Sequence, residues 1–436
     1  MLSKLKSVQS LLSTTLARNT GWMLLGQGLR LIIQAVYFTT IARSLGVSKY
    51  GAFVGVVGLV SIFAPFGSLG RAFLIIKNVS RDKKQFSKSW GRALATTLVA
   101  SSALIGVILL LSKFVLPIAI PTRLVMYVAL SDLFAFNITE VCGRAFMAFD
   151  LLQWTAAINV FLGVSRLAAA GILVALHHNP TALQWGQFYL VSTCVVALAS
   201  LGVTLVKLGT PTFELPRSFA EDKEGFYIAL GNSAGTIYND IDKTMLARLG
   251  TLEATGIYGA AYRLIDVSFT PVTSLLGAAY PNFWRVGVGG VAATLRYAKP
   301  LILYGLCYAV LVCIAVLAGA GIVPYVLGGD YRFTVEALRW LAILPVLRVV
   351  HYFLSDALAG AGHQGLKASI QISVAVFNVL INLWIIPAYS WRGAAWSSIA
   401  SDTLLMLAIG AAVLTLSRRP HSATPESEAL QARAEA

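Results

Sequence analysis

Residues 231–281 read GNSAGTIYNDIDKTMLARLGTLEATGIYGAAYRLIDVSFTPVTSLLGAAYP, two apolar stretches joined by a polar turn near 251–255. They nevertheless carry Asp240, Asp242, Lys243, Arg248, Arg263 and Asp266. A charge at the centre of a lipid-spanning helix costs about 2.5–3.5 kcal/mol on insertion scales, so such groups must face protein or a wet cavity. On a helix, Asn232, Thr236, Asn239, Asp240 and Lys243 fall on one face. Basic groups held there can receive an anion, and arginine offers phosphate a bidentate fork. The candidates for that work are Arg30, Arg144, Arg166, Lys243, Arg263 and Arg348, with Gln27, Gln34, Asn232 and Asn239 as neutral polar lining. Asp132, Glu140, Asp240, Asp242, Asp266, Asp356 and Asp402 are candidates either to pair with the basic groups or to hold a coupling cation.

The same pattern occurs earlier in the chain. A shift of 205 places Leu25-Gly26-Gln27 on Leu230-Gly231-Asn232, Gln34 on Asn239, Ala42-Arg43 on Ala247-Arg248, Gly51 on Gly256 and Phe53 on Tyr258. One insertion then brings Pro65 onto Pro271. In the earlier copy Gln27, Arg30, Gln34 and Tyr37 share a face. Internal repeats with polar, Gly/Pro-interrupted membrane helices at matching places are the sequence sign of an alternating-access transporter.

Further stripes lie elsewhere. Asn137, Glu140 and Arg144 share a face, as do Asn159 and Arg166, then Arg348, His351, Tyr352, Ser355 and Asp356, then Lys367, Gln371, Asn378 and Asn382. Any one stripe is explained by interhelical hydrogen bonds; their spread over both halves points to a central polar cavity. The G-x-S-x-G of residues 231–235 opens a membrane helix instead of following a strand, which argues against a nucleophile. Gly231 and Gly235, like Gly51 and Gly55, suit close helix packing. His177–His178 is expected to be a surface pair, and no metal-type spacing links the four cysteines, Cys142, Cys194, Cys307 and Cys313.

The elements that position these residues follow from composition. With 57% hydrophobic and 12% charged residues in 436, the chain is a polytopic membrane protein. Its net charge of +15 resides in loops, where the positive-inside rule and anionic headgroups account for it, so nucleic acid is not an expected partner. The expected fold is all-α: twelve spanning helices near 20–44, 51–76, 91–115, 121–148, 152–176, 184–207, 225–248, 256–283, 300–326, 334–360, 366–389 and 392–416. A lead-in (1–19), two six-helix halves (20–207 and 225–416) around a central cavity, a linker (208–224) and a disordered polar tail (417–436) complete the organisation. The first apolar run is too long for a cleavable leader, and none is expected. Lys77, Arg81, Lys83, Lys84, Lys88 and Arg92 share one side with Lys207, Arg217, Lys223, Arg285, Arg296, Lys299, Arg418 and Arg419, which puts both termini and the linker in the cytoplasm.

The sequence resembles the polysaccharide-unit flippases of the Wzx (O-antigen) type, in the superfamily that also holds the multidrug-and-toxin exporters and lipid II flippases. The matching marks are GWMLLGQGLRLIIQAVYFTTIARSLGVSKYGAF, DKTMLARLGTLEATGIYGAAYRLID, VLGGDYRFTVEALRWLAI and FNVLINLWIIPAYSWRGAA, over about residues 15–416. The resemblance implies a flippase, not an enzyme, that carries an isoprenoid-diphosphate-linked oligosaccharide from the inner to the outer leaflet of the cell (inner) membrane for exopolysaccharide or lipopolysaccharide synthesis. It implies no cofactor apart from a coupling Na+ or H+, and partners among membrane lipids, a polysaccharide polymerase and other export machinery. Lipid II flippases usually carry two further helices, which favours a polysaccharide unit over a peptidoglycan precursor. A diphosphate suits the basic set above. An antiporter of drugs or small solutes from the same superfamily is the alternative, since a cation substrate would suit the acidic set. A polysaccharide polymerase or ligase fits less well, because every outer loop is short.

The orientation is open to direct test. In a protein lacking the native cysteines, a cysteine at position 178 should react with an impermeant thiol reagent added outside cells and one at position 84 should not. The reverse pattern would overturn the orientation.

Overall fold

The computed structural model describes residues 2–213 and 219–418, so the middle of the expected linker and the expected tail beyond Arg418 lie outside it. Among the described residues all regular structure is helical. Lipid enforces this, since a backbone group left without a partner in hydrocarbon costs several kcal/mol and a helix satisfies its own. The helices are α1 (Leu2–Phe63), α2 (Arg71–Arg81), α3 (Phe86–Val115), α4 (Thr122–Ala129), α5 (Phe136–Ala148), α6 (Leu152–Leu176) and α7 (Ala182–Leu208). They continue as α8 (Phe219–Leu249), α9 (Leu252–Gly287), α10 (Gly290–Gly319), α11 (Val323–Leu327), α12 (Thr334–Leu341), α13 (Leu344–Gly360) and α14 (Gln364–Ser417).

These account for all twelve expected segments. Among the described residues, eight stretches are long and apolar enough to cross a membrane. Two of them, Leu31–Val79 and Gln364–Ser417, each hold two expected segments joined at a non-helical residue, Gly46 (φ 71°) and Ser390 (φ 53°). The remaining two segments are α8 and α9, whose charges keep them below the apolar threshold although they run for 31 and 36 residues. The two most polar spans are therefore the ones singled out first in the sequence.

Several spans are interrupted. The second expected segment, 51–76, breaks at a 3-10 turn (Ala64–Phe66), and Leu69 and Gly70 then take left-handed backbone before α2. The fourth, 121–148, carries a π-helical turn at Leu130–Ala135 between α4 and α5. Broken backbone at membrane depth needs partners within the protein. Here the two irregular places supply each other. Asn137 Nδ2 donates to the Ala64 carbonyl at 3.2 Å and to that of Leu133 at 3.0 Å, and Ser101 Oγ donates to the carbonyls of Gly67 and Leu133. Gly67 is small for the same reason, since a Cβ there would collide with the Asn137 side chain.

The chain forms two compact units that divide within α8, between Thr236 and Ile237. In the first unit Ile75, Val79, Trp90, Val141 and Phe146 form a core among α2, α3 and α5. The start of α8 belongs to this unit: Gly225 packs on the Leu69 carbonyl, and Ser233 Oγ donates to the Ile62 carbonyl at 2.7 Å. In the second unit Phe269, Phe283, Val349 and Phe353 join α9 to α13, and Tyr238, Leu358, Val374, Leu405 and Ile409 join α8, α13 and α14.

In that second unit α9 and α13 touch backbone to backbone. A Cβ at Gly287 would collide with the Gly360 carbonyl, and one at Gly360 would stand 2.7 Å from the Phe283 carbonyl carbon. Small residues permit such approach between membrane helices, where packing and not hydrophobicity drives association. Gly360→Val should therefore cost about 1–3 kcal/mol and lower the unfolding temperature of the detergent-purified protein by several degrees. Gly277→Ala, with no atom within 4 Å of its Cβ, should leave that temperature unchanged or raise it. Equal melting of the two variants would refute the close contact.

Candidate functional site: a buried charge network

Helical spacing sets up the network of the second unit. On α13, Arg348, His351 and Ser355 recur at intervals of three and four residues, which stack them on one face. On α8, Asn239, Asp242 and Lys243 do the same, and on α9 Tyr258, Tyr262 and Asp266 follow at successive fours. Arg348 is 2% exposed and lies at the centre. Its Nε donates to Asp402 Oδ2 on α14 at 3.2 Å and its Nη1 to Asp266 Oδ1 at 3.0 Å, while Nη2 reaches Asn239 Oδ1 at 3.4 Å and the Tyr262 hydroxyl. Asp402 is as buried as Arg348 and bonds His351 Nε2 through its other oxygen at 3.0 Å. The Asp266 side chain is 41% exposed. One guanidinium thus serves one buried and one half-exposed carboxylate.

Two further groups adjoin it. Lys243 Nζ pairs with Asp240 Oδ1 at 2.5 Å, donates to the Asn239 carbonyl at 2.7 Å and lies 3.9 Å from the centre of the Tyr262 ring. Asp242 is fully buried and accepts from the Ser398 hydroxyl at 3.0 Å, the Tyr258 hydroxyl and the Lys243 backbone N–H at 2.7 Å. An amide–hydroxyl chain runs beside it in α14: Asn378 to Ser401, Asn382 to Asn378 and Ser397 to Asn382, at 2.9, 3.0 and 2.5 Å.

The first unit has a smaller counterpart. Asp132, within the π-helical turn, accepts from the Tyr189 hydroxyl at 2.9 Å and lies 3.5 Å from Arg166 Nη2. The Arg166 guanidinium stacks 4.2 Å over the Tyr189 ring, and its Nε has no hydrogen-bond partner among the described residues. Glu140 and Arg144 pair at 3.3 Å along α5. They line a cavity of about 140 Å³ with Thr139, Thr155 and Asn159, and Arg144 stacks on Phe73 at 4.3 Å.

Of the basic candidates from the sequence, Arg144, Arg166, Lys243 and Arg348 are thus each paired with an acidic candidate. Asp356 pairs with Lys367 at 3.4 Å. Arg263 on α9 is half-buried and has neither a hydrogen bond nor an ion pair among the described residues. Gln34 is half-buried, and Asn232 is exposed with its carbonyl accepting from Thr236. The side chains of Gln27 and Arg30 lie outside the described residues. Sequence reasoning did not assign Tyr189 or Ser398. It did name Asp402, an aspartate inside the apolar last segment, which needs a cation somewhere else in the bundle.

A family model described as "Polysaccharide biosynthesis protein" matches residues 16–286. No curated protein matches by sequence. Among solved structures, the chain is similar to an inward-facing multidrug resistance MATE family transporter of the MOP superfamily, at 17% identity and TM-score 0.70 over 91% of this chain and 100% of that one. It is similar to the lipid II flippase MurJ in an inward closed conformation, at 10% identity and TM-score 0.70 over 91% and 87%. A third is a MOP superfamily transporter from Pyrococcus furiosus, at 16% identity and TM-score 0.61 over 92% and 96%. These likenesses establish a shared fold.

The network makes an energetic claim. Arg348→Ala strands Asp402 in the interior, and breaking one side of a buried pair costs about 3–5 kcal/mol. That variant should purify in much lower yield and melt well below the parent. Arg348→Ala with Asp402→Asn should recover part of the loss, because no buried charge is then left alone. A double variant as unstable as the single one would contradict the pairing.

Proposed function

Since the chain belongs to the polysaccharide biosynthesis protein family and is a multi-pass membrane transporter of the MOP-superfamily fold, we propose that it flips an isoprenoid-diphosphate-linked oligosaccharide across the membrane by alternating access. The observation that carries this reading is Arg263. An arginine in the middle of a spanning helix is costly, and the four paired basic candidates already have acidic partners. Arg263 has no such partner among the described residues. A diphosphate entering a low-dielectric site needs such a partner, and planar bidentate donors suit it. The family description, a polysaccharide pathway, supplies the other half of the substrate.

Asp242 fits the role of the coupling carboxylate. It is buried, and its recorded bonds come from two hydroxyls and a backbone N–H, not from a cationic side chain. Carboxylate and hydroxyl oxygens form a hard donor set that suits Na+ as well as H+. Direction follows from the loop charges: the basic side faces the cytoplasm, so the saccharide is taken from the inner leaflet of the cell membrane and delivered outside. A polymerase acting on the delivered unit is the expected downstream partner. The acidic surplus around Arg348 favours a second reading, an antiporter of organic cations, which would protect cells against cationic dyes.

Arg263→Ala should reach wild-type levels in the membrane, because among the described residues the guanidinium forms no bond whose loss would strand a partner. It should cut export of surface polysaccharide roughly tenfold or more, the worth of a charge-assisted contact, and lipid-linked saccharide should accumulate on the cytoplasmic leaflet. Arg263→Lys should retain part of the activity. Full export by a well-expressed Arg263→Ala protein would remove the anion site from the account.

A further inference from the structure

The surroundings of Arg348 are short of positive charge. Asp402 and Asp266 both bond its guanidinium, so two carboxylates share one permanent cation. Among the described residues, the other side chain bonded to Asp402 is His351, which is 1% exposed. Burying unbalanced charge is far more costly than burying a balanced pair. The trio of Arg348, Asp402 and Asp266 is neutralised when His351 is an imidazolium. When Asp266 turns away into water, Arg348 and Asp402 balance each other and the imidazole is best neutral. Asp266 is half-exposed, so it can leave at small cost, whereas Arg348, Asp402 and His351 cannot.

We propose that His351 and Asp402 form a proton-binding site, separate from Asp242, whose occupancy is set by whether Asp266 sits on Arg348. The chemistry is a single proton transfer. In the neutral form His351 Nε2–H donates to Asp402 Oδ1. A proton from water joins Nδ1 to give the imidazolium, and release returns it to water with no other bond changed. Ser355, one turn further along α13, has a buried hydroxyl without a partner among the described residues and offers a polar contact on the same face. The charged and titratable groups around His351 are these. Asp266 and Tyr262 come from α9, Asp402 from α14, and Arg348 and Tyr352 from its own helix. From α8 come Tyr238, bonded to Tyr352, the neutral Asn239, and Lys243 on the far side of the Tyr262 ring, paired with Asp240. Helix α10 meets α13 through Gly305 against Val349 and Phe353, and none of the recorded hydrogen bonds or ion pairs joins it to His351.

The role of this proton in coupling rests on the transporter reading above; the site itself does not. The decisive experiment is nitrogen NMR of the full-length protein in detergent, with its five histidines labelled and the His351 signals assigned by their loss in His351→Gln. In the parent protein those signals should include the imidazolium form, and in Asp266→Asn at the same pH that form should be absent. Signals that are neutral in the parent, or alike in the two proteins, would overturn the proposal. A second measurement covers the case in which a variant folds poorly. His351→Lys fixes a positive charge beside Asp402, so it should fold, and adding Asp266→Asn to it should lower its unfolding temperature, because the fixed cation then lacks its second carboxylate. An unchanged temperature would also overturn the proposal. If the wild-type protein moves no lipid-linked saccharide, the substrate reading falls, and the NMR comparison still decides this one.

Discussion

One constraint governs the second unit: Arg348 must be neutralised inside a bundle surrounded by lipid. Its guanidinium draws Asp402 from α14, Asp266 from α9 and Asn239 from α8 onto α13. Four spanning helices are therefore registered by one side chain. The aromatic rings follow from the same demand, since Tyr262 lies between Arg348 and Lys243 and offers each its π-face. Such a network adds little net stability compared with a well-packed apolar core. What it provides is a set of groups whose charge balance depends on which of them remain in contact, and that is a property a transporter can use.

The first unit solves a different problem. Two of its spans lose helical backbone at membrane depth, near Ala64–Leu69 and Leu130–Ala135, and Asn137 and Ser101 bridge the exposed carbonyls. A π-helical turn points its side chains out of normal helical register, and such turns are frequent at functional sites. Here the turn brings Asp132 against Tyr189 and Arg166. Both units thus hold an aspartate, an arginine and a tyrosine in one cluster, with the arginine shared among more acceptors in the second unit.

Much of this was legible in the sequence. The twelve expected segments were legible as runs of about 20 mostly apolar residues, the length a bilayer crossing demands, with α8 and α9 the least apolar among them. The stripe on α8 was legible too, since Asn239, Asp242 and Lys243 keep helical spacing. Three things were not. The breaks at Ala64–Phe66 and Leu130–Ala135 lack a local signature beyond Pro65, because tertiary partners such as Asn137 stabilise them. The pairing of Arg348 with Asp402 joins positions 54 apart, and no local pattern specifies which helices become neighbours. That Arg263 has no acidic partner among the described residues is a statement about what does not reach it, and only the folded arrangement of α9 reveals that Asp266, three residues on, turns to Arg348 instead.

The central claim is that the protein moves an anionic, lipid-linked saccharide. The most direct measurement reconstitutes the purified full-length protein into vesicles containing an isoprenoid-diphosphate oligosaccharide with a fluorescent tag on the sugar, then adds an impermeant quencher. Vesicles with protein should expose the inner-leaflet pool to the quencher over time, while protein-free vesicles keep it protected. If that pool stays protected in vesicles whose protein still transports a cationic dye, the protein is a cation antiporter and the account is contradicted.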